Sequence, residues 1–192
     1  NLDLKPPIFA HLPMILGPDK KRLSKRHGAP GVQNFSDKGY FPDSILNYLA
    51  LLGWSPKNDK EVLTTEQLIN GFSFNQVQKK GAAWDEKKLH WLSGQHVQNK
   101  DSQFLLDQVR LLDSEWGKNS DISQLIHIIE SLKPRAKSLN EFISKSKYFF
   151  IRPESYDEAE KLKAWPSSDA THIVNQSNGV LSSIDNWTPE AL

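Results

Sequence analysis

The residues best suited to chemistry lie in one short basic segment, residues 19–28 of the 192-residue chain. The segment holds five Lys or Arg side chains against one Asp, a local charge of +4 in a protein whose formal net charge is only +1. Gly and Pro residues border it on both sides, which predicts a loop. A cationic loop with backbone N–H donors can stabilise charge on a transferring or departing phosphate. The same composition is also typical of a solvated charge run or a nucleic-acid patch, so charge alone leaves these roles open.

Composition limits what this loop can belong to. Hydrophobic residues make up 38% of the chain and charged residues 24%, which predicts a folded protein and excludes a uniformly basic coat. The absence of Cys removes disulfides, thiolate catalysis and Cys-based zinc sites. The six His residues are interpreted as structural, and no metal site is predicted. Neither a membrane span nor a secretion signal is found, and a cytoplasmic protein is expected.

The elements that must position the loop are predicted to be mostly helical. Residues 1–18 contain four Pro and predict extended chain with at most one strand. Residues 41–53 follow helical spacing and are apolar nearly all round, which predicts a helix buried on most sides. Apolar residues recur over 101–116 on one stripe that ends at Trp116. Further helices are predicted over 85–92, 121–132 and 153–165, followed by two short helical turns.

Several helix starts are recognisable from their caps. Thr64 with Gln67, and Ser138 with Glu141, have the spacing of capping boxes. Thr188 precedes Pro and Glu, which predicts a helix start four residues before the last residue of the chain. Together with a first residue that is not Met, this pattern leads us to expect a fragment of a longer protein.

The basic segment itself carries a family signature. The residues from Arg22 to Ala29, RLSKRHGA, resemble the KMSKS-type loop of class I aminoacyl-tRNA synthetases in its glutamyl-tRNA synthetase form. The resemblance continues upstream through FAHLP at residues 9–13. It continues downstream through GYFP at 39–42, LNYLALLGWS at 46–55 and, more thinly, WDEKKLHWLSGQ at 84–95. Arg22 stands where Lys is usual, so the charge is kept but the compact ammonium is replaced by a planar fork.

The resemblance implies both an activity and its residues. In this family, glutamate is activated with ATP and Mg²⁺ and then transferred to tRNA(Glu), with tRNA(Gln) as a second candidate. It assigns ATP binding to Arg22, Ser24, Lys25 and Arg26, and it makes Lys25 the catalytic residue. The family's HIGH-type motif has no counterpart in these residues, so this chain is expected to be inactive alone.

The resemblance also implies a domain order: the tail of an α/β catalytic domain at 1–30, a helical stem-contact domain at 31–100 and an incomplete helical anticodon-binding domain at 101–192. Absence of strand alternation after residue 101 favours the bacterial type of this family. A second basic cluster falls in the last region and consists of Lys133, Arg135, Lys137, Lys145 and Lys147. Within it Arg135 and Lys137 are candidate tRNA contacts. We expect a monomer without membrane contact. The alternative is a noncatalytic helical RNA-binding or scaffold protein whose basic loop only contacts phosphate.

Overall fold

The computed structural model describes residues 5, 7, 9–24, 31–56, 59–152, 154–165 and 169–185. The chain divides into two compact units, Asn1–Phe150 and Ile151–Leu192. In chain order the first unit contains β1 (Ile15–Leu16), α1 (Val32–Asp37), α2 (Pro42–Leu51), α3 (Thr65–Gly71), a 3-10 turn (Phe74–Gln76), β2 (Ala82–Ala83), α4 (Glu86–Gln98), α5 (Ser102–Leu112), α6 (Ile122–Leu132), α7 (Leu139–Lys145) and α8 (Lys147–Phe150). The second contains α9 (Glu158–Ala164) and α10 (Asp169–Ser182). The mostly α class is as predicted, and within the described part no helix is long and apolar enough to cross a bilayer.

The β structure of the described residues is one parallel pair of two-residue strands, β1 and β2. The sequence predicted extended chain with at most one strand in the region of β1. It did not predict β2, because Ala82 and Ala83 have neither β-branched side chains nor alternation. Flanking backbone bonds extend the pair. The Ala82 N–H donates to the Met14 carbonyl at 3.0 Å, and the Trp84 N–H donates to the Leu16 carbonyl at 2.8 Å. This ladder fastens the early part of the chain to the residues just before α4.

Helix α2 packs chiefly against α4. Pro42 opens the helix, where its missing N–H costs nothing, and Ile45 and Tyr48 are buried. The prediction of burial on most sides is wrong for the opposite face, since Leu46 and Leu49 are 46% and 40% exposed. The reason is that α4 covers one face of α2, whereas the other borders an open groove.

One predicted capping box is confirmed and the other is wrong. The Thr64 hydroxyl accepts from the Gln67 N–H, and the Gln67 carboxamide accepts from the Thr64 N–H, both at 3.1 Å. Ser138 does precede α7, but its side chain makes no capping bond. The Glu141 carboxylate instead accepts from the Lys137 N–H at 3.2 Å, because the same carboxylate is drawn to the Lys145 ammonium 2.6 Å away.

The ends of α4 and α5 differ from those that the sequence predicted, because tertiary contacts determine where each helix stops. Helix α4 continues six residues beyond the predicted end at residue 92. It runs through Gly94, a poor helix former, because Lys137 packs on that position: an added Cβ would lie 2.6 Å from Lys137 Cδ. Helix α5 stops at Leu112, so Trp116 is not on its stripe. Trp116 is nevertheless buried, and its Nε1–H donates to Ser146 Oγ at 2.7 Å.

The first unit has two main groups of core residues. One lies among α5, α6 and α7; its fully buried side chains include Leu105, Val109, Leu125, Ile129 and Phe142. The other joins α1, α2 and α4; it contains Phe35, Tyr40, Ile45, Tyr48, Leu52, Leu89 and Leu92. The amphipathic stripes of the sequence predicted most of these positions.

The second unit is helical, and its described side chains are exposed except for that of Ile184, which is half-buried. Helix α9 begins at Glu158 after an Asp157 cap that accepts from the Glu160 N–H at 3.0 Å. It is therefore shorter than the predicted helix over 153–165, and Pro153 lies outside the described residues. The prediction of two short turns after it is wrong, because a 14-residue helix, α10, occupies that region. The predicted start at Thr188 also lies outside the described residues.

Candidate functional site

A tight hairpin leads into the basic segment. The Leu23 N–H donates to the Ile15 carbonyl at 2.8 Å, and the Gly17 N–H donates to the Lys21 carbonyl at 2.8 Å. Leu16 forms an antiparallel bridge with Arg22, so β1 is paired on one side with this arm and on the other with β2. The start of the basic segment therefore has a defined backbone rather than a free one.

The turn of this hairpin is shaped by Asp19 and Lys20. The Asp19 carboxylate accepts from the Lys21 N–H at 3.0 Å. Lys20 has φ = 61°, in the left-handed region where a side chain costs about 1–2 kcal/mol. The flanking backbone bonds hold it there, and the Lys20 N–H donates to the Gly17 carbonyl at 3.0 Å. Strain of this kind persists only where the surroundings impose it.

Two of the four candidate ATP-binding residues lie on the returning arm. The Arg22 side chain is exposed, and Ser24 is half-buried. Lys25 and Arg26 lie outside the described residues. The structure thus brings Arg22 and Ser24 together on one short strand-like arm.

The hairpin is attached to the helical body through a buried tyrosine that sequence reasoning did not single out. Residues 82–84 pair with β1, and Asp85 follows them as the N-cap of α4, accepting from the Lys88 N–H at 3.1 Å. The Tyr48 hydroxyl accepts from the Asp85 N–H at 2.8 Å and donates to the Asp85 carbonyl at 2.9 Å. Burial raises the pKa of Tyr48. Because both bonds involve the same backbone residue, Tyr48 fixes the junction between β2 and α4.

The second basic cluster is less uniform than its sequence suggests. Arg135 is exposed, whereas Lys137 is half-buried with its side chain against Gly94 of α4. Lys145 is already paired: its ammonium lies 2.6 Å from Glu141 and donates to the Arg135 carbonyl at 3.0 Å. No acidic side chain of the described residues lies within ion-pair distance of Arg135. Of the two predicted tRNA contacts, Arg135 is therefore more accessible to a phosphate than Lys137.

A buried polar network connects α2 with the end of α4. The Lys100 ammonium lies 2.8 Å from an Asp43 oxygen, and the His96 ring lies 3.6 Å from the same oxygen. The His96 Nε2 is 2.9 Å from Asn47 Oδ1, which also accepts from the Leu63 N–H. The side chains of His96 and then Lys100 hold the pKa of Asp43 below its ordinary value, although burial opposes them. Sequence reasoning missed this network because its members are about 50 residues apart.

Comparison with known proteins gives two family matches along the chain. Residues 1–91 match the catalytic domain of the class I tRNA synthetases for E and Q, and residues 89–192 match an anticodon-binding domain. Glutamate--tRNA ligase 1 of Syntrophomonas wolfei is 34% identical over 193 residues, which is 100% of this chain and 39% of that protein. Glutamate--tRNA ligase of Moorella thermoacetica is 33% identical over 195 residues, covering 96% of this chain and 39% of that protein.

A solved structure has the same fold. The crystal structure of a glutamate tRNA ligase from Elizabethkingia meningosepticum, in complex with its amino acid, superposes with a TM-score of 0.79 at 30% identity. That match covers 94% of this chain and 39% of the solved chain. The present chain thus spans about 39% of the length of the relatives it matches.

Proposed function

The chain belongs to the class I tRNA synthetase family, from the catalytic domain into the anticodon-binding domain, and we propose that it is the C-terminal part of a glutamate–tRNA ligase. The single observation that carries this proposal is the match of one continuous chain to glutamate–tRNA ligases at 33–34% identity over essentially its whole length. The alternative, a noncatalytic RNA-binding or scaffold protein, does not explain a catalytic-domain match over residues 1–91.

The proposed reaction has two steps. The α-carboxylate of glutamate attacks the α-phosphorus of ATP and pyrophosphate leaves, which forms the mixed anhydride of glutamate and AMP. A hydroxyl of the terminal ribose of tRNA(Glu) then attacks the activated carbonyl, and AMP leaves. Mg²⁺ enters with ATP as part of the substrate, because phosphate oxygens are its preferred ligands. We assign tRNA(Gln) as a candidate second substrate, a monomer as the working state and the cytoplasm as the compartment.

In this proposal the basic segment stabilises charge on the phosphates. Negative charge accumulates on the β- and γ-phosphates as pyrophosphate departs, so fixed donors next to those oxygens lower the barrier. Lys25 is the proposed catalytic cation, and Arg22, Ser24 and Arg26 are proposed ATP contacts. The hairpin supports the proposal, since the backbone bonds of Gly17 and Leu23 hold the entry to the segment and reduce the freedom lost on binding.

The helical regions are proposed to hold the tRNA. We assign residues 1–30 to the end of the catalytic domain, 31–100 to stem contact and 101–192 to anticodon binding, with Arg135 and Lys137 as backbone contacts. The exposed position of Arg135 supports its role, because a phosphate can approach it without breaking an ion pair of the described residues. Contacts of this kind supply affinity and position, whereas base contacts supply specificity.

The decisive test is Lys25→Ala in the longer ligase that contains this chain. Removal of one well-placed phosphate donor is expected to slow glutamate-dependent ATP–pyrophosphate exchange by about 10²- to 10³-fold, with the fold intact by circular dichroism. Lys118→Ala provides the control, because that lysine is exposed and, among the described residues, pairs only with Glu115 one turn away. An unchanged exchange rate for Lys25→Ala would overturn its assigned role. If the longer ligase charged neither tRNA(Glu) nor tRNA(Gln) with glutamate, the proposed function would be overturned.

A further inference from the structure

A cavity of about 600 Å³ lies beside α3 and the 3-10 turn, away from the basic hairpin. Its wall combines two aromatic rings with polar side chains. These include Trp54, Phe72, Lys60, Asn70 and Gln76. Its size is within the usual range for pockets that take small molecules or single groups of larger ones. Neither the proposed ATP contacts nor the second basic cluster contribute to it.

Trp54, one of the residues that line the cavity, has a hydrogen-bond donor without an acceptor among the described residues. Trp54 is 3% exposed, and its Nε1–H has no hydrogen-bond partner among the described residues. An indole N–H can only donate, and a buried donor without an acceptor costs about 1–3 kcal/mol. The outer edge of the six-membered indole ring faces Gly71, which also lines the cavity: an added Cβ there would lie 3.7 Å from Cη2 and 3.8 Å from Cζ2. An acceptor atom that reached Nε1–H would satisfy this donor.

The cavity also offers a face for stacking. The Phe72 ring is 47% exposed, although its centroid lies 6.1 Å from that of Trp54. Phe74 packs against Phe72 edge-on at 5.3 Å, which fixes the orientation of the Phe72 ring. Two aromatic neighbours hold Phe72 in place, so its exposed face is preorganised. Aromatic faces of this kind stack unpaired bases, at about 1–3 kcal/mol per base.

The remaining polar groups fit the edge of a base and its phosphate. The Asn70 and Gln76 carboxamides each present donors and an acceptor, and neither has a hydrogen-bond partner within the described part of the chain. Lys60 lies at the same cavity, with its ammonium 3.5 Å from Gln67 Oε1. Proteins that recognise RNA with unpaired nucleotides use this combination of stacking with hydrogen bonds to the base edges.

We propose that this cavity binds one unstacked nucleobase of the bound tRNA, which stacks on Phe72 and accepts a hydrogen bond from Trp54 Nε1–H. The proposal rests on the proposed tRNA-binding function and adds a base-contacting site to it. It predicts a contribution to affinity that is independent of phosphate neutralisation, because a stacked base releases no counterions.

The test is titration of a transcribed tRNA(Glu) with the 192-residue chain and its variants over a range of salt concentrations. Phe72→Ala is expected to weaken binding about 5- to 150-fold, and Trp54→Phe about 2- to 10-fold, without changing the slope of affinity against salt. Phe72→Leu, which keeps an apolar side chain but lacks the aromatic face, should weaken binding as well. Ile69→Ala is the matched control, because Ile69 is exposed on the same helix but does not line the cavity.

The outcomes separate this inference from the function on which it rests. If the wild-type chain binds tRNA and both Phe72 variants bind equally well while folded by circular dichroism, the base site is refuted and the function stands. If the wild-type chain binds no tRNA, the tRNA-binding part of the proposed function fails as well. A second titration uses AMP, GMP, CMP and UMP with tryptophan fluorescence. Saturation by a free nucleotide, lost in Trp54→Phe, together with unchanged tRNA binding would assign the cavity to a free nucleotide and overturn the RNA proposal.

Discussion

At the scale of single residues, equal formal charges are not equally available to a ligand. Lys145 is neutralised by Glu141, and Lys137 lies along α4 over Gly94, whereas Arg135 projects from the surface. An ion-paired or packed cation must break existing contacts before it binds a phosphate, and this reduces its net contribution. The environment of each charge, rather than the count of charges, therefore ranks the candidates.

This ranking predicts the effect of charge reversal on tRNA binding. Arg135→Glu is expected to reduce the slope of log Kd against log salt by about 1 and to weaken binding at low salt, because one phosphate contact is lost. Lys137→Glu should have a smaller effect on the slope. Filter-binding titrations measure both. Lys118→Glu makes the same change of charge elsewhere on the surface and controls for net charge. Slopes equal to wild type in both variants would exclude these two contacts.

At the scale of elements, turns between helices determine which side chains reach the core. Helix α5 ends at Leu112, and the chain then turns through Gly117 so that Trp116 enters the core between α5 and α7. Gly117 has φ = 64°, and an added Cβ would lie within overlap distance of the Leu125 side chain. Both backbone conformation and space require glycine here.

Gly117→Ala is accordingly expected to destabilise the chain by roughly 2–4 kcal/mol, from left-handed strain together with overpacking against buried Leu125. Urea unfolding followed by the fluorescence of tryptophan reports the change. Gly179→Ala is the matched control, since an added Cβ in α10 meets nothing within 4 Å. That substitution should stabilise helix α10 by up to about 1 kcal/mol. Equal stability of Gly117→Ala and wild type would show that the turn relaxes.

At the scale of the whole first unit, the Asp43 network connects helices that are distant in sequence. Asp43 lies in the first turn of α2, and His96 lies in the last turn of α4. Lys100 follows α4, and its ammonium also lies over the Phe41 and Phe104 rings, at 4.4 and 5.4 Å. Ion pair and cation–π contacts thus join the region of α2 to the start of α5. Loss of the Asp43 carboxylate leaves the Lys100 ammonium without its ion-pair partner in a partly buried site, which costs more than the pair contributes.

The network predicts a specific dependence of stability on pH. Because the pKa of Asp43 in the fold lies below its ordinary value of 3.8, its ionised form stabilises the fold above about pH 4. That stabilisation is lost as the pH falls from the ordinary value toward the lowered one. Asp43→Asn should therefore lower the free energy of unfolding by roughly 1–3 kcal/mol at neutral pH. The difference from wild type should shrink in acid.

Urea unfolding at neutral pH and at successively lower pH values measures this difference. Asp107→Asn, which removes an exposed carboxylate on α5, controls for the general effect of losing a negative charge. Parallel pH profiles for wild type and Asp43→Asn would contradict the proposed contribution of the network.

The sequence by itself determined those features that depend on neighbouring residues. The helical spacing of α2, α5 and α6, the Thr64 capping box and the strand at Ile15 all follow from local pattern, and so does the basic segment with its family signature. Local rules succeed there because the interactions join residues within a turn or two of each other.

Tertiary structure alone decided the features that depend on distant contacts. Examples are the pairing of Ala82–Ala83 with β1, the continuation of α4 through Gly94, where Lys137 packs, and the contacts of Asp43 with His96 and Lys100. The unused Trp54 N–H and its cavity belong to the same class. In each case the energy of the arrangement comes from packing or electrostatic contacts between segments far apart in the chain, and no local pattern in the sequence encodes that proximity.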